Sequence, residues 1–117
     1  MKPSSAKQKG RKLQQEVRDA LLENFQGQLE QDDIKSTSMG ASGEDVQLSP
    51  AARKLLPYAI ETKCKEKLNI WSALKQAEEN ANGYVPVVVF RRNHSKTYAV
   101  VDLEHFIELI KFMSSRH

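Results

Sequence analysis

Residues 58–92 read YAIETKCKEKLNIWSALKQAEENANGYVPVVVFRR, and this stretch decides the fold class. Residues 58–64 follow the helix-ending Pro57 and are predicted to form a strand. Residues 69–82 place apolar side chains at helical spacing, and Asn82-Gly83 is suited to end that helix. Residues 86–92 form an apolar run typical of a buried strand. The order strand, helix, strand predicts an α/β fold.

The flanking segments continue this alternation of helices and strands. The elements predicted there are a helix over 11–26, strands over 33–38 and 44–48, a short helix after Ser49-Pro50, a strand over 97–101 antiparallel to 86–92, and a helix over 104–113 with Phe106, Ile107, Ile110 and Met113 facing inward. We therefore expect a mixed central β-sheet flanked by helices. A single domain over 11–113 would lie between a flexible basic arm, 1–10, and a tail, 114–117.

Composition excludes fibrous, membrane-spanning and disulfide-scaffold classes. The 117 residues are 39% hydrophobic and 28% charged, and the longest aliphatic run is far too short to cross a bilayer. The single cysteine, Cys64, has no internal partner for a disulfide, which agrees with a reducing compartment. No secretory signal follows the basic first residues. We expect a cytoplasmic protein with no membrane partner.

Charge is segregated along the chain despite a net charge of +3. Residues 1–18 carry six basic side chains against the single acid Glu16, whereas residues 19–33 carry five acids and no base. A basic N-terminal segment is suited either to binding phosphate or to remaining a solvated tail. No nucleotide-binding glycine motif and no zinc-ligand spacing is present.

One group of charged residues is suited to catalysis. Glu61 and Lys63 are two apart on a predicted strand and share a face, and Asp45 begins another strand sixteen residues upstream. Two carboxylates and a lysine fit metal-assisted phosphodiester hydrolysis, because Mg²⁺ prefers hard oxygen ligands. From spacing alone a second interpretation stays open: a surface Glu–Lys pair with Asp45 as a turn residue.

The motif Gly43-Glu-Asp45, then Ile60-Glu61-Thr-Lys63, then a helix carrying Gln76, resembles the PD-(D/E)XK nuclease superfamily, and within it the small Holliday-junction resolvases of archaea and phages. The resemblance covers residues 8–112 and implies a restriction-endonuclease-like core. It also implies that Asp45, Glu61 and the backbone carbonyl of Thr62 bind Mg²⁺, with Mn²⁺ as a substitute, and that Lys63 is the catalytic lysine.

Two features depart from the family pattern. Members commonly use a glutamate of the first helix to complete the site, for which Glu16 is the candidate, although it lies at the edge of the apolar stripe and Gln15 is an alternative. Many members carry Gln-x-x-x-Tyr on the second long helix, whereas Gln76 is followed here by Asn80.

The resemblance implies a Mg²⁺-dependent endonuclease that acts on branched DNA in recombination, in the bacterial host cytoplasm if phage-encoded. Alternatives are a nuclease for flaps, forks or duplex DNA, or a non-catalytic DNA-binding accessory protein. A homodimer is expected because a four-way junction is nearly two-fold symmetric, with the closing helix as the candidate interface. The residues predicted to contact DNA are Lys9, Arg11, Lys12, Lys65, Lys67, Gln76, Arg91, Arg92 and Lys96.

Overall fold

The computed structural model of the chain describes residues 3–36 and 45–116, with side chains from Lys7 onward. The elements in chain order are α1 (Pro3–Asn24), a 3-10 turn (Gln31–Asp33), β1 (Ile34–Ser36), β2 (Val46–Leu48), α2 (Pro50–Leu55), β3 (Tyr58–Cys64), α3 (Ile70–Glu79), β4 (Val85–Arg91), β5 (Tyr98–Val100) and α4 (Leu103–Ser115). No helix among these residues is long and apolar enough to cross a membrane.

The five strands form one mixed sheet in the order β1-β2-β3-β4-β5. Neighbouring strands are antiparallel except β3 and β4, which pair in parallel from Tyr58 opposite Val85 to Cys64 opposite Arg91. Parallel strands need a crossover connection, and α3 supplies it. The prediction of an α/β fold with a mixed sheet flanked by helices is confirmed.

Each face of the sheet is covered by a different helix. Ile60 and Val87 pack with the apolar side of α1, where Val17 and Leu21 lie against the same cluster. Val88, the next residue along β4, packs instead against α3. Because strand side chains alternate between faces, the sheet separates the two layers.

α1 begins at Pro3, whereas the sequence predicted a flexible arm over 1–10 and a helix from residue 11. Proline fits the first helical turn because its missing N–H needs no partner there. Alanine, lysine and glutamine in the following residues favour helix, and Gly10 opposes it by only about 1 kcal/mol. The prediction relied on an apolar stripe, which the first turns of α1 lack.

α4 forms as predicted, but the burial predicted for its apolar residues is wrong. Phe106, Ile107, Ile110 and Met113 are all exposed, and no residue of α4 is buried. The reason is that α1 and α3 already cover the two faces of the sheet. α4 also continues to Ser115, into the predicted tail. The predicted loop over 39–43 lies outside the described residues.

Ser49 begins α2 as its sequence position predicts. Its hydroxyl oxygen accepts a hydrogen bond from the backbone N–H of Ala52 at 3.1 Å and donates one to Asp33 Oδ1 at 2.6 Å. This bond, followed by one from the backbone of Glu30, lowers the pKa of Asp33. One side chain therefore connects the start of α2 to the turn before β1.

The Ser49→Ala variant is expected to lower the free energy of unfolding by about 1–2 kcal/mol, because the Ala52 N–H and the Asp33 carboxylate both lose their hydrogen bond to the Ser49 hydroxyl. Urea denaturation monitored by circular dichroism measures the change. Ser72→Ala, on the exposed first turn of α3, is the matched control and should change stability by less than about 0.5 kcal/mol. Equal stability of the two variants would contradict the assigned role.

Candidate active site

Asp45 and Glu61 come together on neighbouring strands. Val46 lies opposite Ile60, so the residues that precede Val46 and follow Ile60 are adjacent. The backbone N–H of Asp45 donates to the carbonyl of Ile60 at 3.1 Å, and Asp45 Oδ2 accepts the backbone N–H of Thr62 at 2.7 Å. The Thr62 hydroxyl lies 3.4 Å from the same oxygen. Both the backbone and the carboxylate of Asp45 are therefore anchored on β3.

Glu61 is a carboxyl group almost fully removed from solvent, with 1% of the residue exposed. It lies on the α3 face, where Asn80 at the end of that helix donates from Nδ2 to Glu61 Oε1 at 2.9 Å. Burial raises the pKa of Glu61 to about 7, and the charge of Asp45 and a side-chain hydrogen bond with it act in the same direction. The Asn80 hydrogen bond and the charge of Lys63 oppose this rise. Near neutral pH the pair is poised between holding and releasing a proton.

Lys63 follows on the same face of β3 and is partly buried. Its ammonium is near enough to favour the ionised form of Glu61 electrostatically. The structure thus brings together the three residues Asp45, Glu61 and Lys63. The first two are in direct contact, and the third acts on them through its charge.

The donors at this site fit a hard divalent cation such as Mg²⁺. Asp45 and Glu61 offer carboxylate oxygens, and a cation held by them would favour the ionised form of Glu61, which burial and, after it, the charge of Asp45 now disfavour. Among the described residues there is, however, no group of three or more acids, histidines or cysteines placed to hold a metal. The backbone N–H of Thr62 donates to Asp45. That the backbone carbonyl of Thr62 binds the metal stays a prediction.

The structure does not place Glu16, the candidate third acid, beside the carboxyl pair. Its carboxylate forms a short ion pair with Arg91. Arg91 lies opposite Cys64, three positions along β3 from Glu61, so its side chain points to the α1 face. The sheet therefore separates Glu16 from Glu61. The alternative Gln15 is not placed at the carboxyl pair by any described contact, and its neighbour Gln14 is buried and accepts the Ser36 hydroxyl at 2.9 Å.

Asn80 is the contact that the sequence reasoning missed. It occupies the position four residues after Gln76, where the nuclease pattern has tyrosine. The available signal was that asparagine readily ends a helix and that α3 must return the chain to β4. Gln76 itself is exposed on α3, away from the described contacts of the carboxyl pair.

The basic residues predicted to contact DNA concentrate where β3 and β4 end. On the α1 face, a cavity of about 330 Å³ is lined by Lys9, Lys12, Arg91 and Arg92, and Lys9 Nζ donates to Asn93 Oδ1 at 2.9 Å. A second cavity of about 330 Å³ is lined by Lys65 and Arg92 among others. The remaining predicted contacts, all exposed, are Arg11 on α1, Lys67 after β3, and Lys96 between β4 and β5.

No model of a known protein family, no curated protein and no solved structure matches this chain. The resemblance to the nuclease superfamily therefore depends on the residues and their placement alone.

The raised pKa of Glu61 predicts an unusual pH dependence of stability. Because the folded state holds this proton more tightly than the unfolded state, stability is greatest below pH 4.5 for this group and falls as pH rises toward 7. The loss contributed by Glu61 is roughly 3 kcal/mol. In EDTA, Glu61→Gln should therefore be more stable than the unaltered protein at pH 8 but not at pH 4.5.

Urea denaturation at the two pH values, with Glu79→Gln as the exposed control, measures this difference. Glu79 ends α3 in solvent, so its substitution should leave the pH dependence unchanged. The same pH dependence in Glu61→Gln as in the unaltered protein would contradict the raised pKa.

Proposed function

We propose that this protein is a Mg²⁺-dependent, structure-selective DNA endonuclease with a restriction-endonuclease-like core, acting on four-way junctions. The observation that carries this proposal is the buried contact of Asp45 with Glu61 beside Lys63. A carboxyl pair buried at a cost and held in place by several hydrogen bonds is typical of functional sites. Asp45, Glu61 and Lys63 are also the residues that correspond to the nuclease motif in the sequence.

Each residue of the site has a distinct role in this proposal. The Asp45 and Glu61 carboxylates would hold the cation, and the chemistry it would supply is polarisation of the scissile phosphate and activation of water. The Thr62 N–H and Asn80 act as positioning groups, since each donates to one of the two carboxylates. Lys63 orients the attacking water and stabilises the charge that develops on phosphate.

The cations around the ends of β3 and β4 provide the surface for DNA. Lys65 and Lys67 lie within three residues of the end of the strand that carries Glu61 and Lys63. Arg91 is the last residue of the neighbouring strand, and Arg92 follows it. Branch geometry is recognised mainly through phosphates, which such a surface binds without base contacts. Its position at the same end of the sheet as Lys63 supports a role in presenting DNA to the site.

A second candidate is a non-catalytic DNA-binding protein on the same fold. It is favoured by one observation, the pairing of Glu16 with Arg91, which leaves two acids rather than three at the site in the described structure. This candidate predicts junction binding with no cleavage in either Mg²⁺ or Mn²⁺.

We expect Glu61→Gln and Lys63→Ala to abolish cleavage while DNA binding and fold are retained, because both act on the cation and water rather than on the sheet. Lys63→Arg should also cleave poorly, since a planar guanidinium cannot replace a compact ammonium at a packed position. A four-way junction, a flap and a linear duplex, each incubated with Mg²⁺ or EDTA, provide the assay.

Lys54→Ala, at an exposed position of α2, is the matched control and should cleave normally. Cleavage of the junction at unaltered rates by all three site variants would refute the site assignment. Equal cleavage of flap or duplex would refute junction selectivity, and binding of the junction without cleavage would favour the second candidate.

DNA affinity should depend steeply on salt. If about six of the basic side chains neutralise phosphates, the slope of log affinity against log salt is near −5. Replacing Lys65 and Lys67 together by glutamine should weaken binding to every DNA shape and flatten the slope by about two. The control pair, Lys35 and Lys54, lies on exposed positions of β1 and α2.

Titrations of junction binding in Ca²⁺, which supports binding with little turnover, measure these slopes. A slope near zero for the unaltered protein would contradict the proposal that its basic side chains bind DNA phosphates. Equal flattening by both lysine pairs would mean that the surface at the ends of β3 and β4 has no special role.

A further inference from the structure

A cavity of about 660 Å³ lies beside α3, on the face of the sheet that α3 covers. α3 contributes Trp71, Leu74 and Glu78, which share one side of the helix because they are three and four positions apart. The start of β4 and residues 100–102, which lead from β5 into α4, also line it. Ligand-binding cavities in proteins ordinarily measure about 300–1,000 Å³, so this one is large enough to hold a ligand.

Trp71 is the single tryptophan of the chain, and it stands in solvent at this cavity with 79% of the residue exposed. Leu74 and Pro86 supply further apolar surface there. The ring of Tyr84, also at the cavity, already carries the guanidinium of Arg53 at 4.2 Å from its centre. Tryptophan and tyrosine often dominate the energy of a binding surface, because they bury a large area with few rotatable bonds. The exposed indole therefore indicates a surface that binds a partner.

The charged side chains that line the cavity are all acidic among the described residues: Glu78 and Asp102. Both residues are exposed, so their charges are accessible to a partner. Asp102 is also fixed in place, because its Oδ1 accepts the backbone N–H of His105 at 2.7 Å at the start of α4. The cavity therefore attracts cations and repels phosphates, in contrast to the basic cavities at the ends of β3 and β4.

An arginine side chain matches this combination of aromatic and acidic groups. Its planar guanidinium stacks on an indole ring and donates to carboxylates at the same time, which the compact ammonium of lysine does less well. The stretch of α3 from Trp71 to Glu78 rises about 10 Å, the length of about three extended residues. Because side chains alternate along an extended peptide, the two neighbours of an arginine can cover the apolar floor while the guanidinium reaches the acids at the mouth.

We propose that this cavity docks a partner protein through an extended segment in which an arginine stands between apolar residues. The apolar side chains of the segment lie on Leu74 and Pro86, and the guanidinium lies against Trp71 and between the carboxylates of Glu78 and Asp102. Nucleic acid is disfavoured as the occupant, because its phosphates would face the same two acids. The interaction is independent of the proposed nuclease activity, since none of these residues belongs to the carboxyl pair or lines the basic cavities.

Fluorescence of Trp71 measures this binding directly, because no other tryptophan is present in the sequence. The unaltered protein, without DNA and in EDTA, is titrated with the capped peptide acetyl-Gly-Leu-Arg-Leu-Gly-amide up to about 1 mM. The expected result is a saturable shift of the emission to shorter wavelength as the exposed indole leaves water. The same peptide with glutamine in place of arginine, and free arginine, are the matched controls. Each should bind at least about tenfold more weakly, because the first lacks the charge and the second lacks the apolar neighbours.

Substitutions at the cavity test the two carboxylates and the indole separately. Glu78→Gln and Asp102→Asn should each weaken binding of the arginine peptide by about three- to fivefold, and together by about tenfold or more. Asparagine begins a helix as well as aspartate does, so Asp102→Asn leaves α4 intact. Glu79→Gln removes an equal charge at a neighbouring exposed position outside the cavity, and this control should bind normally. Trp71→Ala, measured by calorimetry, should weaken binding at least about tenfold.

Circular dichroism confirms that each variant is folded. No binding of the arginine peptide below about 1 mM, or equal binding of the glutamine peptide or of free arginine, overturns the proposal. Equal effects of Glu78→Gln and Glu79→Gln overturn the assignment to this cavity. Tighter binding of single-stranded oligothymidine, lost in Trp71→Ala, would identify a nucleic-acid base as the occupant, and a shift of the Trp71 emission on raising the protein concentration alone would identify a second copy. Either of these two results overturns the peptide as occupant.

Discussion

The parallel pairing of β3 with β4 is the constraint on which the rest of the structure depends. It runs over all seven residues of each strand, from Tyr58 to Cys64 and from Val85 to Arg91. Because parallel neighbours need a crossover, α3 must cover one face, and α1 is left to cover the other. The same pairing assigns every side chain of β3 to a face. Glu61 thereby lies against the end of α3, whereas Cys64 and its partner Arg91 lie on the α1 face.

A carboxyl pair buried in this sheet is costly unless its atoms are satisfied, and here each carboxylate has its own donor. Asp45 takes the Thr62 N–H and Glu61 takes Asn80. These contacts come from β3 itself and from the end of α3, so the geometry of the pair is built into the crossover unit. What remains unbalanced is the burial of the Glu61 charge, to which the charge of Asp45 adds. A proton or a cation relieves it, and this property makes the pair the candidate active site.

The molecule separates its polar and apolar surfaces. Cations collect around the ends of β3 and β4, where they line two cavities, whereas exposed apolar side chains collect on α4. The first surface is suited to phosphates. α4 can keep its apolar side chains exposed because the two faces of the sheet are already packed by α1 and α3.

The sequence by itself determined the order of elements, the start of α2 at Ser49-Pro50, and the full extent of β3, because these depend on local caps, proline and apolar runs. It also indicated that Asp45 and Glu61 would lie close together, since Asp45 begins one predicted strand and Glu61 lies within the next. Only the tertiary structure decided that Glu16 belongs to Arg91 on the opposite face, that Asn80 reaches Glu61, and that the apolar residues of α4 stay exposed. The physical reason is that the periodicity of the sequence defines only which side of a helix is apolar. The pairing of the strands decides which face of the sheet that helix covers, and whether any face is left for it to cover.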